Sequence, residues 1–221
     1  MRPYDLICFD VDGTLVVHPE GKIVWEILNR RFAGTDEINL ARFHDYRAGV
    51  ITYAEWVALD VGEWLRAKAT REQILESING LRLVGGARET LHELKRRGYK
   101  LAVVSGTLDI VLETLLPDHP FDDVFTNRLS FDDDGLLVGW TATEYDVSGK
   151  ALALREIAAR EKIPLDRCAY VGDAVNDLDI AREAGFAVAF NSSCRDLIEV
   201  CAVSLSGDDL GLLLPYFPDG A

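Results

Sequence analysis

The sequence predicts an α/β protein, a doubly wound and mostly parallel sheet interrupted by an all-helical insertion. Three short β-rich runs carry the prediction: YDLICF before Asp10, KLAVVS ending at Ser105, and RCAYVG before Asp173. Each is followed by a turn and a helical pattern, the alternation of a Rossmann-like βαβ layout. Two of the runs are continuously apolar at their centres, as strands covered on both faces must be. Between the first two runs, residues 20–84 read as helix without strand.

The elements follow in order. KIVWEILNRRFAG carries apolar residues at Ile23, Val24, Ile27 and Leu28 and stops at Gly34, and EINLARFHDYRAG repeats the pattern up to Gly49. Thr52 with Glu55, and Thr70 with Gln73, fit capping boxes that start two more helices. The insertion is too long for a loop and has its own apolar faces. It divides the chain into a core of residues 1–19 and 85–221 and a helical cap of residues 20–84. GGARETLHELKRRGYK returns the chain to the core as a helix closed by Gly98. FTNRLSFDDDGLLVGWTATEY reads as two short strands around the turn dipeptide Asp134-Gly135, so Asp132, Asp133 and Asp134 belong to a turn and not to a metal site. FAVAF at 186–190 and AVSL at 202–205 are further strands.

Of the 221 residues, 48% are hydrophobic, enough to bury a sizeable core. Thirty-seven acidic residues against 23 basic give a formal charge of −14, which opposes nonspecific binding to nucleic acid or an anionic membrane. No run is long and apolar enough to span a bilayer, and the start lacks a signal peptide's pattern, so a cytoplasmic monomer or homodimer is expected. Cys8, Cys168, Cys194 and Cys201 form no CxxC pair, and His18, His44, His92 and His119 show no metal spacing, so reduced, structural roles are expected. Trp25, Trp56, Trp64, Phe32, Phe43 and Tyr53 crowd the insertion at helical spacing and read mainly as its core, with one or two facing a ligand.

Ligands of an open parallel sheet bind beyond the carboxyl ends of its strands, so the residues after each apolar run converge on one crevice. Here these are Asp10, Asp12 and Thr14; Ser105, Gly106 and Thr107; and Asp173, Asn176 and Asp177; Lys150 adds a cation. Carboxylates crowded in this way repel unless a cation sits among them, and oxygen ligands suit a hard ion such as Mg2+. The ion and Lys150 then let a phosphate dianion approach, with hydroxyls and backbone N–H groups receiving its oxygens. Asp10 is a competent nucleophile for an aspartyl-phosphate, and Asp12 can protonate a leaving alkoxide and later deprotonate water. Gly13 permits the turn between them and Thr14.

With these residues in place the chain resembles the haloacid dehalogenase superfamily of phosphohydrolases, nearest its phosphoserine phosphatase-like branch. Four motifs appear in the family's order: Asp10-Val11-Asp12-Gly13-Thr14, Ser105-Gly106-Thr107, Lys150 within SGKALAL, and Gly172-Asp173-Ala174-Val175-Asn176-Asp177. The resemblance implies Asp10 as nucleophile and metal ligand, Asp12 as acid/base with its carbonyl on the metal, Asp173 as a further ligand, and Asp177 as an outer metal contact. It implies that Thr14, Ser105, Gly106, Lys150 and Asn176 bind phosphate, and that the cap selects a small phosphorylated metabolite. Two glycines usually follow the family's second-motif serine, whereas Thr107 stands in the second place here. Glu20 and Arg47, with Arg42 as the alternative arginine, are the candidates for gripping an amine and a carboxylate of the substrate. A Mg2+-dependent phosphatase is expected, with a phosphotransferase or mutase, or a noncatalytic phosphate-binding regulator, as alternatives.

Overall fold

The computed structural model describes residues 2–220, apart from the side chain of Ser148. The first strand, β1 (Leu6–Phe9), is fully buried and leads through the Asp10–Thr14 turn to β2 (Val16–Val17). Four helices follow: α1 (Val24–Phe32), α2 (Glu37–Arg47), α3 (Tyr53–Arg66) and α4 (Arg71–Ser77). Both expected capping boxes form, with Thr52 and Thr70 accepting from the N–H groups of Glu55 and Gln73. The chain then enters β3 (Arg82–Leu83), which pairs antiparallel with β2, so the segment expected to be helix alone ends in a strand. A two-residue strand offers no periodicity to read, and its pairing is set by the entry and exit of the helical segment lying side by side.

The remainder alternates as expected. α5 (Ala87–Arg96) precedes β4 (Lys100–Leu108); α6 (Asp109–Leu115) precedes the antiparallel pair β5 (Asp123–Phe131) and β6 (Leu137–Thr141); α7 (Lys150–Glu161) leads to β7 (Cys168–Gly172). Then come α8 (Leu178–Glu183), β8 (Phe186–Phe190), α9 (Arg195–Val200) and β9 (Val203–Leu205). The seven-stranded sheet has the order β6-β5-β4-β1-β7-β8-β9 and is parallel apart from β6. From β1 the chain builds outward on one side through β4 and on the other through β7, so the carboxyl end of β1 lies at the topological switch point.

Alternating residues of each central strand serve two cores. Ile7, Phe9, Leu101, Val103, Ala169 and Val171 face one, which continues into the helical segment through Trp25, Leu28, Val61 and Trp64. Leu6, Cys8, Ala102, Val104, Cys168 and Tyr170 face the other, closed by Ala151, Leu154 and Ile157 of α7. All four cysteines are free. The basic cluster at the end of α5 lies in surface ion pairs, Lys95 with Asp122 and both Arg96 and Arg97 with Glu93, as a solvated helix face should. Among the described residues no helix is long and apolar enough to cross a membrane.

Candidate active site

Asp10 caps the carboxyl end of β1 and is 4% exposed, with its N–H donating to the Val171 carbonyl at 2.9 Å. The turn after it is tight. Gly13 has φ +86°, and a Cβ there would land on the Asp173 carboxylate, so both the backbone angle and the approach of β7 require glycine. Thr14, fully buried, donates its hydroxyl to Asp173 Oδ1 at 2.9 Å. Thr14, expected from the sequence to bind phosphate, here steadies a carboxylate 159 residues away.

The segment expected to leave its strand at Ser105 stays in β4 as far as Leu108. Its pairing with β5 slips between Val104 and Leu108, opposite Phe125 and Asn127, so Ser105-Gly106-Thr107 forms an irregular stretch inside the strand. Such a slip re-aims side chains and frees backbone groups. Ser105 bonds to the Asp10 carboxylate and does not cap α6, whose first flanking residue is Leu108. The Gly106 carbonyl accepts from the Trp25 indole N–H at 2.8 Å and from Asn127 Nδ2 at 2.7 Å. A Cβ on Gly106 would strike the Asp146 carboxylate.

Lys150, the first residue of α7, is fully buried behind Asp10. Its ammonium lies 3.0 Å from Asp10 Oδ1 and 2.7 Å from Asp177 Oδ1. The Tyr170 hydroxyl donates to the same Asp177 oxygen at 2.5 Å. Asp177 Oδ2 accepts from the N–H groups of Asp173 and Ala174 at 2.9 and 3.0 Å. Both oxygens of Asp177 thus hold Lys150 and the turn after β7, an anchoring role that the sequence did not indicate. Lys150 donates to Asp10, Asp177 and Tyr170, while Asn176 lies apart on the cavity wall.

Burial raises the Asp10 carboxyl above its ordinary pKa, with Lys150 opposing, Asp177 adding to the rise and the Ser105 bond opposing. Asp173 is raised by burial and then by the charges of Asp10 and Asp177. Burial pushes Asp12 up to about 6, against the Val24 N–H and Lys150. For Lys150 burial works against the charge, and Asp10, Asp177 and Asp146 together outweigh it, so the ammonium is held protonated. Carboxylate oxygens of Asp10, Asp173 and Asp177 lie within 4.8 Å of one another. Buried oxygen donors that repel one another at this spacing fit a hard divalent cation.

Asp10, Asp12, Ser105, Gly106, Asp173 and Asn176 meet in one cavity of about 380 Å³ beneath the inserted helices. Two expected substrate contacts do not reach it. Glu20 is exposed and faces Lys22 at 3.8 Å, and it is Lys22 that lines the cavity. Arg47 lines, with Tyr46 and Arg182, an adjoining crevice that shares Val147, Val175 and Asn176 with the cavity, and Arg42 is buried in an ion pair with Asp60. The aromatic wall is broader than expected, since Trp25, Phe43, Tyr53 and Trp56 all face the cavity. Trp64 and Phe32 instead belong to the packing beneath it. Sequence reasoning missed Tyr170, Asn127, Asp146 and Asp60. A hydroxyl in the middle of the buried run CAYVG, and an aspartate four residues before Lys150, were the available signals for Tyr170 and Asp146. Asn127 and Asp60 carry none.

The profile of the haloacid dehalogenase-like hydrolases matches residues 7–182, from β1 to α8. The chain belongs to that family. It is 35% identical over 215 residues to phosphoserine phosphatase SerB2 of Mycobacterium tuberculosis, a match covering 96% of this chain and 50% of that protein. It is 33% identical over 220 residues to the phosphoserine phosphatase of Methanocaldococcus jannaschii, covering 96% of each. The chain spans only half the length of the mycobacterial relative and 61% of that from Archaeoglobus fulgidus. Among solved structures, an apo phosphoserine phosphatase superposes with a TM-score of 0.76 at 29% identity, covering 97% of this chain and all of the other. A phospho-aspartyl intermediate analogue of phosphoserine phosphatase superposes at 0.71 with 30% identity, covering 97% and 99%.

Proposed function

We propose that the protein is a Mg2+-dependent phosphatase that hydrolyses a small phosphomonoester through a phosphorylated Asp10. The observation that carries this reading is the buried Lys150 ammonium 3.0 Å from Asp10 Oδ1, in the crevice that also holds Asp12, Ser105 and Asp173. A lysine buried against a carboxylate at a strand end offsets charge where an anion must approach a nucleophile.

In the first step an Asp10 carboxylate oxygen bonds to phosphorus as the ester P–O bond breaks, and the Asp12 carboxylic acid gives its proton to the departing alkoxide. In the second, the Asp12 carboxylate takes a proton from water, whose oxygen bonds to phosphorus and releases inorganic phosphate with Asp10 restored. Ser105 and the backbone around Gly106 bind the phosphoryl oxygens, and Lys150 offsets their charge from behind Asp10. Asp10 and Asp173 would hold the Mg2+ together with the Asp12 carbonyl, and the bound ion would supply Lewis-acid stabilisation of charge on the phosphoryl group. Thr14 and Asp177 fix Asp173 and Lys150 in place. The helices of residues 20–84 act as the cap that excludes water and selects the alcohol. The phosphoserine phosphatase names of the relatives and the phospho-aspartyl analogue among the structural neighbours support the same chemistry.

Turnover of an aryl phosphate should require Mg2+, cease on chelation and return when the ion is restored. It should be lost in Asp10→Asn. Turnover indifferent to both changes would refute the mechanism, and turnover only on addition of an acceptor alcohol would assign a phosphotransferase.

A further inference from the structure

The wall of the cavity is built for a different alcohol from serine. O-phosphoserine brings a carboxylate and an ammonium along with its phosphate, so a site for it needs an unpaired cation. Among the described residues lining the cavity, Lys22 is the single lysine or arginine. Its ammonium bonds Asp36 at 2.8 Å and has Glu20 at 3.8 Å. Arg42, the nearest alternative, is spent on Asp60, with Glu63 at 3.9 Å. The lining carboxylates beyond Asp10, Asp12 and Asp173 are Glu26, Asp146 and the Arg42-paired Asp60, and Glu26 and Asp146 repel a second anionic group.

What the wall offers instead is apolar and flat. Trp25, Phe43, Tyr53 and Trp56 line it with Val57 and Leu40, and the rings pack on one another, Phe43 and Tyr53 lying 6.0 and 6.1 Å from Trp56. At 380 Å³ the cavity falls within the roughly 300–1,000 Å³ of pockets that take drug-sized ligands. A buried acceptor lies in the same wall, Asn39 Oδ1, which makes no hydrogen bond within the protein, while the Asp60 carboxylate nearby takes bonds from Asn29, Arg42 and Trp56. A buried acceptor of this kind calls for a donor from the ligand.

We propose that the alcohol carrying the phosphate is an apolar, aromatic-sized group with a hydrogen-bond donor at its far end and no carboxylate. The phosphoryl group sits at Asp10, the flat body lies against Trp25, Phe43, Tyr53 and Trp56, and the donor reaches Asn39 Oδ1. This rests on the phosphatase reading above and specifies its substrate class.

The test compares three primary-alcohol esters at saturating Mg2+: 2-(4-hydroxyphenyl)ethyl phosphate, 2-phenylethyl phosphate and O-phospho-L-serine. The hydroxyphenyl ester should exceed O-phosphoserine in kcat/KM by about tenfold or more, with the phenyl ester between them. In Asn39→Leu the advantage of hydroxyphenyl over phenyl should shrink, and in Trp56→Leu the advantage of both over O-phosphoserine should shrink. O-phosphoserine equal to or better than the aryl esters would overturn the inference and leave the phosphatase intact. Should none be hydrolysed, the phosphatase reading falls, and tryptophan fluorescence reads the wall directly. Saturable quenching by 3-(4-hydroxyphenyl)propylphosphonate, tighter than by the serine-like 2-amino-4-phosphonobutyrate, would support the inference, and the reverse order or no response would overturn it.

Discussion

At the strand ends, the buried polar groups of Lys150, Tyr170 and Asp177 bond to one another, and Thr14 closes on Asp173. On the helical wall of the same cavity, Asn39 keeps a buried oxygen without a partner. The first region is a hydrogen-bonded network on a rigid parallel sheet, which fixes the reacting groups before any ligand arrives. The second is an aromatic surface on helices joined to the core through the short β2–β3 ribbon, and the Asn39 oxygen in it is the acceptor that the proposed substrate would complete. Chemistry and selectivity therefore have separate foundations, and changes in one region should leave a different signature from changes in the other.

Lys150→Met tests the strand-end network hardest. It leaves the buried charge of Asp177 without its counter-ion and removes the cation beside Asp10, so a loss of about 3–5 kcal/mol in unfolding free energy is expected by urea denaturation, together with loss of turnover. A variant of near wild-type stability would break the claim that this lysine holds the site together. Asp12→Asn keeps the shape and removes the proton carrier. Turnover of an alkyl phosphate should fall by about 10²–10⁴-fold with stability little changed, and by less for an aryl phosphate whose leaving group needs no proton. Equal losses for both esters would mean that Asp12 acts through structure.

Smaller effects sharpen the boundary between the two regions. Tyr170→Phe removes one of the two donors on Asp177 Oδ1 and should cost about 1.5–3 kcal/mol, since a bond to a charged acceptor is lost inside the protein. KM for any ester should be affected much less. Thr52→Ala removes the cap of α3 and should cost about 1 kcal/mol. Its kinetic trace should appear in KM rather than kcat, because α3 carries Tyr53, Trp56 and Asp60 of the wall and none of the strand-end groups.

The same division explains what could be read from the sequence. The strand-end residues were legible because each follows an apolar run, and the geometry of a parallel sheet brings such positions together whatever lies between them. Their partners were less so. Nothing local says that Thr14 turns to Asp173, that Tyr170 reaches Asp177 across its own strand end, or that Lys150 sits behind Asp10 instead of on the cavity surface. In the helical segment, periodicity identified an apolar stripe but could not separate Trp64, which packs inside, from Trp56, which faces the cavity. For a related reason, Glu20 and Arg47 do not line the cavity. A side chain beside a helix start, or at a helix end, points according to a turn of the chain that its own spacing does not record. Arg42 was taken by Asp60, a pairing across two helices that no single stretch of sequence contains.

The central claim is that Asp10 itself takes the phosphoryl group. Acid quenching of the enzyme during turnover of a phosphate-labelled ester with Mg2+, followed by peptide mass spectrometry, reads this directly. A phosphoryl adduct on the peptide bearing Asp10, absent in Asp10→Asn and removed by hydroxylamine, is the predicted result. Undiminished turnover with no adduct, or an adduct on another residue, would contradict it.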